Sequence, residues 1–232
     1  MSTDDLTDQI SGVSLLADPV RRRLYEVVAS SPDAVGRAEA AQAADVPAHT
    51  AKFHLDKLVE EGLLSTEFRR LTGRSGPGAG RPAKLYRRSE RQVDLTLPRR
   101  QYELAGHLLA TAVELAAAGD VPVLDAVRQT AHDAGRQLDS PPRARDGDDL
   151  DTVANALQRY GYEPRREGDR VLLANCPFDR LAAEHRTLVC TMNLALVEGV
   201  VEQLRCDGAC ARLDPAAGRC CVTLTPPDVA RG

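Results

Sequence analysis

The stretch from Asp18 to Arg87 constrains the fold most, because it orders two short helices, a tight turn and two strands around a Gly-rich basic loop. Asp18-Pro19 is a helix start: the carboxylate can accept from free N–H groups, and proline loses nothing at the first helical position. Val20, Leu24, Val27 and Val28 follow at helical spacing, and Ser30-Ser31-Pro32-Asp33 breaks the helix. Arg37 to Ala44 reads as a short Ala-rich helix and Asp45-Val46-Pro47 as a turn. A longer helix is expected from about Ala48 to Glu61, ending at Gly62, a residue suited to a helix C-terminus. The 3.6-residue period puts Ala51, Leu55, Leu58 and Val59 on one face of it, with His49, Thr50, Phe53 and Lys57 on the other. An outward Phe is out of place on a merely solvated helix. It suits a face that enters a groove and meets thymine methyls or sugar.

Gly62 to Arg70 reads as a strand, and Ala83 to Arg87 alternates as its partner. Between them, Leu71 to Arg81 is too rich in glycine for regular structure. A helix, a turn, a second helix and two strands joined by a basic loop make a winged helix-turn-helix. From Glu67 to Arg100 ten Lys/Arg face three Asp/Glu, although the formal net charge of the chain is −4. A basic segment inside an acidic protein is what a duplex-contacting surface requires, since only that surface meets phosphates. Composition alone fits a solvated basic loop equally well. On the DNA reading His49, Thr50, Phe53 and Lys57 lie against base edges or nearby backbone. Lys52 and His54 lie at the edges of the same face, and Arg74, Arg81 and Lys84 reach wing phosphates or the minor groove.

The remainder predicts an α+β, mainly helical fold. With 232 residues, 43% hydrophobic content, no Trp and three Phe, the chain suits two modest domains with cores of Leu, Val and Ala. A long helix is expected over Leu97–Ala118, a second over Val123–Leu138 and a third over Leu150–Tyr160. A hairpin (Tyr162–Arg166 with Arg170–Ala174), helices over Phe178–Glu184 and Val189–Leu204, and a last strand pair complete it. The expected organisation is a flexible tail (1–17), the winged helix-turn-helix (18–96), a helical dimerisation region (97–139), a linker (140–149) and an α+β sensor module (150–232). The long helix offers a homodimer seam. Two recognition helices would then meet a pseudo-palindromic duplex about one turn, roughly 34 Å, apart.

The acidic N-terminus is unlike a signal peptide, and no run of about 18 apolar residues occurs, so a cytoplasmic protein is expected. In that compartment six cysteines point to metal or redox chemistry rather than disulfides. All six fall between Cys176 and Cys221, with Cys176, Cys190, Cys206 and Cys220 at wide, similar gaps. Wide gaps suit a cluster held between separate elements, each giving one thiolate. Zinc is the alternative, with Cys206, Cys210, Cys220 and Cys221 and with His185 in reserve.

The segment TAKFHLDKLVEEGLL (Thr50 to Leu64), with GRPAKLY (Gly80 to Tyr86), resembles the ArsR-type winged-helix regulators. Together with NCPFDRLAAEHRTLVCTMNLALVEG (Asn175 to Gly199), it resembles their SufR branch of iron–sulfur-responsive repressors, from about Asp18 to Leu224. The resemblance implies a dimeric repressor of double-stranded DNA with a cluster of the [4Fe–4S] type. It also implies Cys176, Cys190, Cys206 and Cys220 as ligands, with Cys210, Cys221, Asp179 or His185 as alternatives for the fourth.

No catalytic constellation stands out: the chain has no G-x-S-x-G, no H-E-x-x-H and no phosphate loop ending in G-K-[ST]. A non-enzymatic regulator is therefore expected. The competing classes are a zinc- or thiol-based regulator, and a ligand-binding or redox enzyme domain fused to a helix-turn-helix that makes protein contacts.

Overall fold

Two units form, Met1–Leu95 and Thr96–Gly232, and the computed structural model describes residues 3–70, 82–139 and 148–227 of them. The first runs α1 (Thr3–Leu15), α2 (Pro19–Ser30), β1 (Val35–Gly36), α3 (Arg37–Ala43), α4 (Ala48–Glu60), β2 (Leu64–Arg69) and β3 (Ala83–Arg88). The Asp18 carboxylate caps α2, accepting from the N–H groups of Val20 at 2.9 Å and Arg21 at 3.0 Å. Backbone donors at the start of α2 thereby gain a partner that the helix itself cannot give them. Leu24 and Val28 of α2, Ala40 and Ala41 of α3, and Ala51, Leu55 and Leu58 of α4 close one core, with Leu64 and Tyr86 from the sheet. Strands β2 and β3 pair antiparallel from Leu64↔Arg88 to Arg69↔Ala83, and β1 adds on the other side of β3.

Two expectations change here. The segment 1–17, read as a tail, forms α1, and the two-residue strand β1 was not foreseen. Gln9 and Asp8 explain why the first stays folded: Gln9 accepts from the Asp94 N–H at 3.0 Å, and the Asp8 carbonyl accepts from Arg91 at 3.0 Å. The loop expected over Leu71–Arg81 lies outside the described residues.

The second unit runs α5 (Tyr102–Ala118), α6 (Val123–Gln137), α7 (Asp149–Gln158), β4 (Pro164–Glu167), β5 (Arg170–Leu173), α8 (Asp179–Glu184), α9 (Arg186–Gln203), β6 (Cys210–Leu213) and β7 (Val222–Thr225). Its sheet has the order β4-β5-β7-β6, with antiparallel pairs throughout. Helix α9 is buried around most of its circumference, as a helix must be when it carries apolar residues on every side. It crosses α6 at two glycines: a Cβ on Gly199 would stand 2.1 Å from the His132 carbonyl oxygen, and one on Gly135 would stand 2.1 Å from that of Leu196.

A further expectation is corrected by this packing. The region 97–139 was read as separate from the sensor module, yet Leu108 and Ala112 of α5 and Val127 and Ala131 of α6 share one core with α7, α9 and the sheet. Their apolar stripes are mostly filled within the unit, with Val113 of α5 and Val123 of α6 left exposed. The expected linker 140–149 lies outside the described residues up to position 147; Asp148 already caps α7 and Asp149 begins it.

Candidate functional site

On α4 the outward residues are His49, Lys52, Phe53 and Lys57, with Thr50 half-buried beside them. Phe53 is 58% exposed, and its ring meets His54 edge-on with centroids 5.3 Å apart. His54 itself is buried and accepts from Arg21 Nε at 3.3 Å through Nδ1. Its expected place at the edge of the exposed face is therefore corrected. Positions 51, 54, 55 and 58 form the i, i+3, i+4, i+7 stripe, which turns His54 toward α2. Lys52 lies 3.8 Å from Asp56, and Lys57 pairs with Glu60 at 2.6 Å, so both ammonium groups stay on the open face.

Lys84 does more than face outward. It donates to Asp56 at 2.7 Å and lies 5.1 Å from the centre of the Tyr86 ring, while the Tyr86 hydroxyl donates to the same carboxylate at 3.2 Å. This network ties β3 to α4. Burial pushes the Asp56 carboxyl up, but Lys84, Tyr86 and Lys52 outweigh it and hold the group below the ordinary carboxylate range. Lys84 is raised in turn, first by its hydrogen bond to Asp56. Phe68 on β2, opposite Lys84 in the register, is 65% exposed. Arg74 and Arg81 lie outside the described residues. A surface with Phe53, His49 and Lys57 on a protruding helix, and Phe68 beside basic strands, can offer both apolar contact and phosphate neutralisation.

In the second unit a cleft of about 380 Å³ is lined by Cys176, Cys190, Cys220 and Cys221, with Arg100, Arg186 and Arg219 beside them. The fold brings the four thiols together from three places. Cys176 follows β5, Cys190 is on α9, and Cys220-Cys221 precede β7. The Cys220 N–H donates to the Leu173 carbonyl at 2.9 Å, which extends the β5–β7 pairing and sets Cys220 beside Cys176. Arg100 fixes the loop by donating to the Cys176 carbonyl at 2.6 Å and to Asn175 Oδ1 at 2.9 Å.

The thiols touch in a string, Cys176 to Cys220, Cys220 to Cys221, and Cys221 to Cys190. The Cys220 sulfur also accepts from Asn193 Nδ2 at 3.1 Å and from the Val222 N–H at 3.5 Å. The thiols of Cys176 and Cys221, together with those N–H groups, push Cys220 well below the usual cysteine range. Cys176 and Cys221 are driven up, first by their hydrogen bonds to Cys220. Cys220 is thus the thiol of this wall on which hydrogen-bond donors converge.

Of the four expected ligands, Cys176, Cys190 and Cys220 line the cleft and Cys206 does not. Arg205 takes a positive φ of 52° just after α9, and Cys206 is buried with its thiol 3.7 Å from the Leu204 carbonyl. Cys221 is the fourth cysteine on the cleft lining. Cys210 lies on β6, its thiol 3.6 Å from the Ala211 carbonyl; Asp179 is on the cleft wall, 3.8 Å from Arg100, and His185 is not part of it. Four thiols beside three arginines suit an anionic, thiolate-rich centre. Among the described residues no group of three or more His, Cys, Asp or Glu is set to hold a metal ion, and a single tetrahedral zinc would need donors converged at about 2.3 Å. The residues missed from sequence are Asn193, Tyr162 and Arg100, whose role depends on tertiary neighbours.

Among the described residues no helix is long and apolar enough to cross a membrane. No curated protein and no solved structure matches the chain. Residues 16–67, from the end of α1 into β2, match the family described as a helix-turn-helix domain, a family of DNA-binding regulators.

Proposed function

We propose that the chain is a DNA-binding transcriptional repressor that acts as a homodimer on a pseudo-palindromic duplex and senses iron–sulfur status through its second unit. The helix-turn-helix match supports the DNA reader, and His49, Thr50, Phe53 and Lys57 of α4 supply its contact face. The observation that carries the sensor is the meeting of four thiols from three separate elements in one cleft. Cys176, Cys190, Cys220 and Cys221 would hold an iron–sulfur cluster. When bound, such a group would supply a redox-sensitive metal–thiolate cross-link between those elements. Arg100 holds the Cys176 loop, and Arg186 and Arg219 place positive charge beside the thiolates.

The homodimer is assigned to the outer flank of α5, where Gly106, Ala110 and Val113 are exposed. A Cβ on Gly106 would meet nothing within 4 Å, so packing inside the chain gives no reason for glycine at that position. Mid-helix glycine costs about 1 kcal/mol against alanine, and close approach of a second α5 accounts for it.

A thiol-only switch is the second reading, favoured by the contact of Cys176 and Cys221 with Cys220. Iron and acid-labile sulfide analysis of anaerobically purified protein, with its visible spectrum, separates the two. Iron and sulfide in equal amounts with a brown colour support the cluster; colourless, metal-free protein that still binds its duplex refutes it.

A further inference from the structure

Asn193 is fully buried in α9, where most neighbours are apolar. An amide in such a place is retained only when its polar atoms are paired. Both ends are used: Nδ2 donates to the Cys220 sulfur at 3.1 Å, and Oδ1 accepts from the Tyr162 hydroxyl. The Tyr162 contact fixes which way the amide points. If the amide were turned over, the Tyr162 proton would face the NH2 group and lose its acceptor. Tyr162 is itself fully buried, so its hydroxyl stays protonated and remains a donor. The pair forms a relay from the core to one sulfur of the cleft, and among the described residues no other thiol there is given a side-chain amide donor.

We propose that Asn193, oriented by Tyr162, is a positioning residue that donates to the Cys220 sulfur and sets the reduction potential of the cluster which that sulfur would ligate. This rests on the cluster reading above. An N–H···S bond withdraws electron density from a ligating thiolate and so favours the reduced, more negative state. Removing the donor makes the potential more negative, while the Val222 N–H remains as the weaker contact at 3.5 Å.

The test is a redox titration of the anaerobic full-length protein, wild type against Asn193→Leu, with iron and sulfide measured in each. Wild-type iron content with about a tenfold shift of the oxidised-to-reduced ratio at a fixed poise, about 59 mV for one electron, is the expected result. Tyr162→Phe keeps the amide but frees its orientation; it is expected to shift the potential in the same direction by less, and it serves if Asn193→Leu does not fold. A wild-type potential in both variants at full iron content overturns the inference and leaves the cluster reading intact. Absence of iron and sulfide from the wild type removes the cluster reading, and the inference with it.

Discussion

Replacing Gly199 by alanine tests how the sensor unit is held together. The added Cβ would stand 2.1 Å from the His132 carbonyl oxygen and 3.0 Å from the Gly135 Cα, both backbone atoms of the crossing helix. Ordinary contacts need about 3.5 Å, so α6 and α9 must separate by roughly 1 Å. Overpacking of this kind costs about 1–3 kcal/mol, and parting the helices also loosens Val127, Ala131, Leu196 and Val200, which share that core. Alanine returns about 1 kcal/mol of helix propensity. A net loss of about 1 kcal/mol is expected, roughly a fivefold rise in the opened population. Hydrogen exchange of α9 amides reads this directly, because it reports the unit that carries Cys190 and Asn193. Gly106→Ala is the control, with open space at its Cβ; it should raise helix stability by up to about 1 kcal/mol while weakening the dimer in sedimentation. A Gly199→Ala protein as protected as the wild type would refute the close crossing.

Other changes have smaller or more local effects. Asp18→Ala removes the cap of α2 and should lower stability of the first unit by about 1 kcal/mol in urea unfolding, with no change in cluster content. Lys57→Ala should lower affinity for duplex DNA and reduce the slope of log affinity against log salt by about one unit, whereas Phe53→Ala should weaken binding without changing that slope. Cys221→Ala should abolish iron retention and Cys206→Ala should preserve it, because only the first lines the cleft; the reverse result would restore the ligand set implied by the family resemblance. Asp56, whose folded pKa is depressed, stabilises the α4–β3 tie above its unfolded value near 3.8. That contribution falls away as the pH drops through the lower folded value, so Asp56→Asn should flatten the acid limb of the stability curve of the first unit.

The sequence was most readable where pattern is local. The i, i+4 stripe of α4, the Asp18-Pro19 start and the strands flanking the glycine-rich loop rest on neighbours a few residues apart, and the structure forms those elements within a residue or two. His54 was legible in principle, since it falls on the same stripe as Ala51 and Leu58, yet its polar ring suggested the outer face. Helix α1 was missed because its acidic start carries little apolar periodicity, and it depends on the distant Arg91 and Asp94. The thiol site needed sheet register. Nothing in the spacing shows that β5 and β7 adjoin, so that Cys220 meets Cys176, or that the turn at Arg205 sends Cys206 away. Asn193 looks like one polar residue in an apolar helix until Tyr162 and Cys220 are seen at its two ends.

Duplex recovered from a randomised pool by the anaerobic full-length protein allows the most direct test. Its affinity is measured by fluorescence anisotropy before and after iron is removed with a chelator. Tight binding by the iron-loaded protein and at least a tenfold loss after chelation is the outcome that a thiol-held centre governing the DNA reader requires. Equal affinity in both states would contradict it and leave a helix-turn-helix protein whose grip ignores the cysteines.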